Sequence, residues 1–493
     1  MLMDRNPLFY IDFYKVGHVS QYHRGVRHVF SNWTPRSSRI PDTKHVVHFG
    51  LTWFLKRYLI EAFDEYFFKR PWNEIEREYT AVIRATLNIA HPKTDHIEAL
   101  HRHGRMPLRF YALPEGSLVP LGCPSIIVTN THSEFFWLPN YIETLMSNAL
   151  WKPCTSATTA RRYRELFLKH ARRSGETDMG FIDWQGHDFS FRGMSGMEDA
   201  CLSGMGHLIY FSGSDTLPAI LAANRYYGAD LTIGGSVSAS EHSVMCAGSE
   251  EGEYETFRRL ICETYPDGIV SIVSDTWDLW RVLTDYVPRL KETITNRKGL
   301  VVFRPDSGDP VKIMCGDPDS AHGDPAAYGV LRLLRQALGT MPSANGGLPM
   351  IRNARAIYGD SITVERADQI LTRIIDEAKL SPFNCIFGVG SFSYEYVTRD
   401  TYGFAMKATA YKNETGEIIP IFKKPVTDNG EKFSHYGIPA VYHGPSPDQP
   451  YIVKQQATED DLNHCAFVKV FDDGDLLVDP SFSSIRQRAR VGL

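Results

Sequence analysis

The sequence predicts an α/β protein in which a barrel of β/α units is inserted between two chain ends that together build a second, mixed α+β domain. From about residue 151 to residue 400, short apolar runs alternate with helical segments, a pattern typical of parallel β/α units. Residues 1–150 and 401–493 both contain short strands separated by proline, asparagine and glycine, so we expect them to share the second domain. A chain of 493 residues also exceeds the usual size of a single core.

The N-terminal third combines a helix with strands. Between Leu51 and Arg70, aromatic residues recur at helical spacing with charged residues between them, which predicts an amphipathic helix. From Met106 to Thr131, short β-favouring runs are broken by prolines and glycines, which predicts antiparallel strands joined by turns.

The barrel is predicted from short apolar runs that each lead into a turn rich in glycine, serine or aspartate. The candidate strands are residues 230–233, 269–274, 299–303, 354–358 and 385–389. Barrels and open α/β sheets place their active sites on the loops that leave the carboxyl ends of parallel strands. We therefore expect the functional residues to follow these strands.

Composition excludes several classes of protein. A hydrophobic fraction of 43% and a charged fraction of 23% are typical of a globular chain. The net charge of -5, without any run of lysine and arginine, argues against nucleic-acid binding. No apolar stretch approaches the ~20 residues that a membrane span requires, and the N-terminus does not resemble a secretory signal. We expect a cytoplasmic protein without a cysteine-based zinc site or disulfide framework, because the eight cysteines are scattered.

The segment Arg304-Pro-Asp-Ser-Gly308 directly follows a predicted strand. An arginine there offers a bidentate fork for phosphate, and an aspartate can accept hydrogen bonds from ribose hydroxyls. A turn in which Asp306 and Ser307 cap backbone groups is the alternative.

Three other strand ends carry similar chemistry. Tyr358-Gly-Asp360 and Phe387-Gly-Val-Gly-Ser391 offer glycine-rich turns whose backbone N–H groups suit a phosphate, although a simple tight turn explains them equally well. Ser274-Asp275 offers a carboxylate for a magnesium-bound pyrophosphate, or a helix N-cap.

Two histidines lie in short motifs. In His187-Asp-Phe-Ser-Phe-Arg-Gly193, strand alternation would place His187, Phe189 and Phe191 on one face, although a lone histidine is more often structural. In Ser236-Val-Ser-Ala-Ser-Glu-His242, small residues would let a ligand approach the backbone closely.

In this order along the chain, the motifs resemble those of nicotinamide phosphoribosyltransferases, members of the type II phosphoribosyltransferases. The resemblance extends from about residue 12 to beyond residue 430. Besides the segments quoted above, it rests on Asp12-Phe-Tyr-Lys-Val-Gly-His18, Gly213-Ser-Asp215, Ser271-x-x-Ser-Asp275 and Thr398-Arg-Asp400.

The resemblance implies a homodimer with an irregular α/β barrel and active sites shared between the subunits. It implies that Phe189 and Tyr14 of the partner subunit sandwich the pyridine ring of nicotinamide. Asp215 would accept a hydrogen bond from the carboxamide. The substrates would be nicotinamide and 5-phosphoribosyl-1-pyrophosphate (PRPP), with ATP as co-substrate and Mg²⁺ bound through pyrophosphate by protein ligands that the resemblance leaves unassigned.

The remaining roles follow from the same resemblance. His242 would be phosphorylated by ATP. Gly390 and Ser391 would bind the 5′-phosphate, and Arg399 and Lys407, acting from the partner subunit, would add positive charge. The residues implied for the ribose and pyrophosphate region are Arg192, Ser271, Asp275, Arg304, Asp306, Gly359 and Asp360, of which Asp275, Arg304 and Asp306 form the catalytic set with His242.

The chain departs from the family pattern at three positions. Ser391 replaces the usual second glycine, Ser238 replaces a proline, and Ala405 replaces a serine. A nicotinate phosphoribosyltransferase is the nearest alternative, and Asp215 disfavours it because a carboxylate repels the carboxylate of nicotinate. A non-catalytic protein on the same scaffold would not need the phosphate and ribose set, and a barrel hydrolase would carry paired acids without the arginines.

Overall fold

The computed structural model describes residues 6–344, 346–423 and 435–493. The chain packs into two compact units. The first unit comprises Met1–Thr155, Ala223–Ala229 and Thr398–Val491, and the second comprises Ser156–Ala222, Asp230–Val397 and Gly492–Leu493. The domain limits predicted from the sequence stay a prediction.

The strands of the first unit come from both ends of the chain. They are β1 (Val26–Pro35), β2 (His45–Val47), β3 (Leu108–Ala112), β4 (Leu118–Pro120), β5 (Ile126–Asn130), β15 (Phe404–Asn413), β16 (Ile418–Pro420), β17 (Ile438–Ser446), β18 (Gln449–Ala457), β19 (Val468–Asp472) and β20 (Asp475–Leu476). The strands of the second unit are β6 (Gly186–Asp188), β7 (Gly213–Ser214), β8 (Ser238–Ala239), β9 (Gly268–Val273), β10 (Gly299–Arg304), β11 (Thr340–Met341), β12 (Met350–Ile351), β13 (Ala354–Tyr358) and β14 (Cys385–Val389).

Helices surround both groups of strands. They are α1 (His18–Gln21), α2 (Leu51–Phe54), α3 (Trp72–Leu87), α4 (Asp95–His103), α5 (Leu138–Tyr141), α6 (Glu143–Arg173), α7 (Ile182–Gln185), α8 (Met197–Leu208), α9 (Leu217–Tyr227), α10 (His242–Cys246), α11 (Glu253–Arg259), α12 (Leu279–Arg281), α13 (Val287–Arg289), α14 (Lys291–Asn296), α15 (Pro310–Cys315), α16 (Pro325–Leu338), α17 (Val364–Asp376), α18 (Ser391–Tyr394) and α19 (Phe482–Ala489). No described helix combines the length and apolarity that crossing a lipid bilayer demands.

The first unit is organised around an antiparallel sheet that joins the two chain ends. Its described strands lie in the order β16-β15-β1-β5-β3-β19-β20. β1 pairs with β15 from Pro35↔Phe404 to Val26↔Asn413, so residues far apart in sequence are neighbours. The rings of Trp33 and Phe404 stack 5.1 Å apart in the buried core beside this ladder. The prediction that both chain ends contribute to a mixed α+β part of the fold is therefore confirmed.

The second unit is organised around a curled parallel sheet with the order β7-β6-β14-β13-β10-β9-β8. Although β6 and β14 are the first and last of these strands along the chain, they pair with each other in the sheet. A parallel bridge between Gly213 in β7 and Gly235, just before β8, links the two end strands of the sheet. This cyclic order is that of an incomplete barrel and confirms the predicted irregular α/β barrel. It brings the carboxyl ends of all these strands to one rim.

Most local predictions agree with the structure, and two are wrong. Helical structure spans Leu51–Phe54 and continues in π-helical turns to Phe68. The segment 230–233 is a 3₁₀ turn rather than a strand, because the side chain of Asp230 accepts a hydrogen bond from the N–H of Thr232 and caps it. The alternation predicted for His187, Phe189 and Phe191 fails, since β6 ends at Asp188 and Phe191 begins a 3₁₀ turn.

Candidate active site

Loops at the carboxyl rim of the barrel enclose a cavity of about 800 Å³ within the second unit. We call it the polar cavity because most of its lining carries charged or hydrogen-bonding groups. The lining residues are Asp188, Phe189, Phe191, Arg192, Gly193, Asp215, Thr216, Glu241, His242, Ser243, Arg304, Asp306, Gly359, Asp360, Ser361, Gly390, Ser391 and Phe392. The loops after six different strands thus contribute to one site, as the alternation of strands and polar turns predicts.

An aromatic ring is held at the centre of this cavity by two close approaches of backbone. The N–H of Phe189 donates to the carbonyl of Val389, which continues the β6–β14 pairing past its last residue pair. A Cβ atom on Gly388 would lie 2.3 Å from the Phe189 ring, and one on Gly359 would lie 2.9 Å from it. Both positions therefore require glycine for the ring to lie where it does.

The carboxylate of Asp215 lies beside this ring. His187 Nε2 lies 3.0 Å from Oδ1 of Asp215, and the hydroxyl of Ser236 donates to the same oxygen. Partial burial opposes ionisation, but the hydrogen bonds from His187 and Ser236 lower the pKa of Asp215 below its ordinary value. Because both neighbours contact Oδ1, Oδ2 is the atom that can accept from a ligand.

Asp275, in the loop after β9, contacts both the loop after β10 and His242, which follows β8. Its Oδ2 accepts from the N–H of Asp306, which fixes the Arg304-Pro-Asp turn. Its Oδ1 lies 3.5 Å from His242 Nε2, and the carboxylate side chain is only 6% exposed, against 47% for His242. The buried carboxylate of Asp275 therefore lies next to the exposed imidazole of His242.

Arg304 and Asp306 face the cavity from this turn. The guanidinium of Arg304 donates through Nη2 to the carbonyl of Ser240 at 3.1 Å, and no described residue accepts from its buried Nε. Burial raises the pKa of Asp306; Arg304 opposes that shift, and the nearby carboxylates of Asp275 and Asp360 add to it. Crowded carboxylates of this kind are a donor set that suits Mg²⁺.

A short helix begins at the lining of the polar cavity. Gly390 precedes α18, which starts at Ser391, and the first N–H groups of a helix have no partner within it. A Cβ on Gly193 would lie 2.7 Å from Cβ of Ser391. Gly193 therefore leaves room for the side chain of Ser391, which explains how the fold accommodates a serine at this departure from the family pattern.

Comparisons with known proteins identify the family of the chain. The model of the nicotinate phosphoribosyltransferase (NAPRTase) family matches residues 184–469. The chain belongs to this family. It is 47% identical to a nicotinamide phosphoribosyltransferase of Acinetobacter baylyi over 98% of this chain and 97% of that protein. A nicotinamide phosphoribosyltransferase of Mycoplasma pneumoniae is 31% identical over 85% of this chain and 92% of its own length.

Two solved structures support the fold. A nicotinate-nucleotide pyrophosphorylase from Pyrococcus furiosus superposes with a TM-score of 0.56 at 14% identity, covering 97% of this chain and 93% of that one. Human nicotinic acid phosphoribosyltransferase gives a TM-score of 0.55 at 16% identity, with the same coverages of 97% and 93%. At these identities the likeness concerns the fold alone.

A second cavity of about 420 Å³ lies inside the barrel of this family member, and we call it the apolar cavity. Phe189, Asp215 and Arg304 line both cavities, so they mark the junction. The other lining residues are Phe181, Trp184, His187, Ser236, Val237, Ala239, Ile269, Ser271, Leu300, Val302, Arg355, Ile357 and Ile386. Many of them are two residues apart on β9, β10 and β13, which is the spacing that places side chains on one face of a strand.

The structure brings most of the predicted site residues together. Those on the polar cavity are Phe189, Arg192, Asp215, His242, Arg304, Asp306, Gly359, Asp360, Gly390 and Ser391. Ser271 lies on the apolar cavity, and Asp275 lies behind the polar one, in contact with His242 and Asp306. Tyr14, Arg399 and Lys407 belong to the first unit, so their predicted roles in a shared site stay predictions.

Sequence reasoning left two contacts of this site unassigned. His187 was weighed as a structural histidine and Ser236 as part of a small-residue loop, yet both contact Asp215. The sequence does indicate a site role for His187, because it lies two residues before Phe189 in the same motif.

Proposed function

We propose that this enzyme transfers the phosphoribosyl group of PRPP to nicotinamide, giving nicotinamide mononucleotide and pyrophosphate in NAD biosynthesis. Relatives with the name of that activity support the proposal, one of them at 47% identity over nearly the whole chain. The observation that carries it is that Asp215, whose pKa is lowered, lines both cavities together with Phe189 and is contacted by His187 and Ser236 through Oδ1 alone. The predicted cytoplasmic location is part of the same proposal.

The junction of the two cavities suits an uncharged pyridine carboxamide. The ring would stack on Phe189, and the carboxamide NH₂ would donate to Oδ2 of Asp215. Nicotinate carries a carboxylate instead, which would lie against the Asp215 carboxylate without a proton to share. A nicotinate-specific family member would therefore need a neutral or basic group at this position.

The polar cavity suits PRPP. Arg192 and Arg304 would neutralise its phosphates, and the N–H groups at Gly390 and Ser391 would bind the 5′-phosphate. Asp306 and Asp360 would hold Mg²⁺, which when bound supplies charge neutralisation for the pyrophosphate. The ring nitrogen of nicotinamide then forms a bond to C1′ of the ribose while the bond from C1′ to pyrophosphate oxygen breaks. Fixed carboxylates near C1′ stabilise the positive charge that develops on the ribose.

His242 is proposed to couple this reaction to ATP. Its imidazole is exposed, lines the polar cavity and lies 3.5 Å from the Asp275 carboxylate, so it can accept the γ-phosphoryl group of ATP with release of ADP. Water later removes this group as phosphate. His242→Ala should abolish the stimulation by ATP while leaving slow synthesis without ATP. Full stimulation of the variant would contradict the assignment.

The proposed enzyme is a homodimer whose sites are completed by the partner subunit. Tyr14 exposes 60% of its surface, and Lys407 has Arg36 and Arg399 as basic neighbours, so the first unit offers an aromatic ring and a positively charged group. Mixing inactive Tyr14→Ala and Asp215→Ala subunits should restore part of the activity, because one site of each heterodimer would be intact. Heterodimers that form but stay inactive would contradict shared sites.

The deciding experiment for the reaction is direct. Purified protein is incubated with PRPP, Mg²⁺ and either nicotinamide or nicotinate, with and without ATP, and the mononucleotide is identified by mass. Nicotinamide mononucleotide as the main product would support the proposal. Preference for nicotinate would favour a nicotinate phosphoribosyltransferase. Absence of product from both bases would favour a non-catalytic protein.

A further inference from the structure

A cluster of two histidines and an aspartate lies in the first unit, apart from the residues of either cavity. His103 ends α4, His132 follows β5, and Asp473 follows β19. One ligand atom of each residue lies within 4.8 Å of the others. His103 and Asp473 are 370 residues apart in sequence, so only the fold brings them together.

The sheet explains this meeting. β3 lies between β5 and β19, with Leu108 opposite Asn130 and Arg109 opposite Asp472. The segment between α4 and β3, the end of β5 and the end of β19 therefore meet at the same end of these three strands. The N–H of Asp473 also donates to the carbonyl of Leu108 at 2.9 Å, which fixes its backbone there.

Asp473 is held in a rigid turn. Asp473 and Gly474 have φ values of 49° and 91°, and they connect the paired residues Asp472 and Asp475. Positive φ at both central residues is the geometry of a type I′ hairpin turn, for which Asp-Gly is a favoured sequence. The turn accounts for an aspartate in this position, but it does not account for the two imidazoles directed at its side chain.

The two distances to Oδ1 of Asp473 match those between ligands of one metal ion. Nε2 of His103 and Nε2 of His132 each lie 3.3 Å from Oδ1 of Asp473. Ligand atoms about 2.05 Å from a tetrahedral zinc ion lie roughly 3.3 Å apart. Without an ion, the contact between His103 and Asp473 is a hydrogen bond longer than the usual value near 2.9 Å. The hydroxyl of Thr131 donates to the same Oδ1 at 2.8 Å and provides the kind of outer contact that orients a metal-binding carboxylate.

The surrounding charges are compatible with a divalent ion. Arg105 lies 3.6 Å from Oδ2 of Asp473 and opposes a cation, but its side chain is 52% exposed and also reaches Asp475 at 3.4 Å. Arg105 can therefore pair with Asp475 when an ion occupies the site. Two imidazoles and one carboxylate leave a fourth position for water, and this ligand set favours zinc-class transition metals over Mg²⁺.

We propose that His103, His132 and Asp473 form a binding site for a divalent transition metal of the zinc class. The ion would join the end of α4, the loop after β5 and the β19–β20 turn, and so stabilise the contact between the N-terminal and C-terminal parts of the first unit. The site is independent of the phosphoribosyl reaction, and no step of that reaction depends on it.

The test uses the full chain after treatment with a chelator, titrated calorimetrically with Zn²⁺ in the presence of excess Mg²⁺, which is added to compete for the carboxylates of the polar cavity. Two variants remove one ligand each. His132→Asn changes a half-exposed side chain, and Asp473→Asn retains a residue that suits the type I′ turn. His464→Asn, whose side chain is 72% exposed in another part of the unit, is the matched control.

We expect the wild type and H464N to bind one more Zn²⁺ than H132N and D473N, whose affinity at this site should fall at least about 100-fold. Zn²⁺ should also raise Tm of the wild type and not of the two ligand variants. The Co²⁺ form of the wild type should show the visible absorption of a four-coordinate ion, and the ligand variants should lack it. Absence of Zn²⁺ binding in the wild type, unchanged binding in either ligand variant, or equal loss in H464N would overturn the site.

Discussion

The polar and apolar cavities share Phe189, Asp215 and Arg304, yet the rest of their linings are opposite in character. The polar cavity collects arginines, carboxylates and helix-start N–H groups from loops, whereas the apolar cavity is lined mainly by inward-facing residues of strands. The same barrel therefore separates two kinds of recognition. Charged and hydrogen-bonding groups would recognise a phosphorylated sugar in the polar cavity. Apolar side chains and the single carboxylate of Asp215 would recognise an uncharged base in the apolar cavity.

The largest effect is expected from Arg304, compared with an arginine that lines only the apolar cavity. Arg304→Met should lower kcat/KM for PRPP by about 10³-fold, because it removes a charged donor from the transition state. Arg355→Met is the matched control. Arg355 donates to the carbonyls of Ile351 and Ala354, and burial lowers its pKa to about 10.

Steady-state kinetics with varied PRPP measures both variants. Arg355→Met should leave kcat/KM for PRPP little changed, provided that circular dichroism shows it to be folded. Equal losses in the two variants would show that the cavities are not functionally separate.

Asp215 at the junction should decide the choice of base. Asp215→Asn removes the negative charge and adds an amide donor, so the ratio of kcat/KM for nicotinamide to that for nicotinate should fall about 10- to 100-fold. Ser236→Ala, which removes a donor to the same carboxylate but keeps its charge, should preserve the ratio. An unchanged ratio in folded Asp215→Asn would remove Asp215 from base recognition.

The position of the Phe189 ring should matter less, since stacking contributes a smaller free energy. In Gly388→Ala the new Cβ would lie 2.3 Å from the ring, so the ring must move. KM for nicotinamide should rise about fivefold, the loss of one favourable aromatic contact, and by more than KM for PRPP, which the approach of the new Cβ to within 2.7 Å of Gly359 Cα can also raise. Gly196→Ala is the control, because its Cβ would have nothing within 4 Å. A parallel rise in both KM values would indicate general damage to the barrel.

The barrel and the polar cavity could largely be predicted from the sequence, because their signals are local. Each apolar run that precedes Asp275, Arg304, Gly359 and Gly390 forms a strand of the parallel sheet, and parallel strands bring their carboxyl ends to one rim. The one wrong strand, 230–233, has an aspartate whose local cap overrides the β-favouring composition.

Other features could not be predicted because they depend on long-range packing. The apolar cavity arises from alternate residues on separate strands whose register the sequence does not state. The approach of His187 and Ser236 to Asp215 joins strand β6 to two loops. The resemblance supplied Asp215 itself, but the atom left available to a ligand follows only from the positions of its two neighbours.

The smallest effect concerns the cost in stability of the charges in the polar cavity. Burial raises the pKa of Asp306 above its unfolded value, so the native state binds more protons than the unfolded state as pH rises through the interval between these two pKa values. Ionisation of Asp306 therefore lowers the free energy of unfolding. The whole loss is present at pH values above the folded pKa, and none of it is present at pH values below the unfolded pKa. Asp306→Asn should raise that free energy near pH 7, by less than about 1 kcal/mol because the group is partly exposed.

Urea unfolding near pH 7 and near pH 4 measures the difference between Asp306→Asn and the wild type, which should shrink at the lower pH. Asp319→Asn, at a side chain that is 82% exposed outside both cavities, should give no such gain. A loss of stability in Asp306→Asn at neutral pH would show that the contact with Arg304 outweighs burial and repulsion. The polar cavity would then be a stabilising ion-pair network, and its contrast with the apolar cavity would lie in ligand chemistry alone.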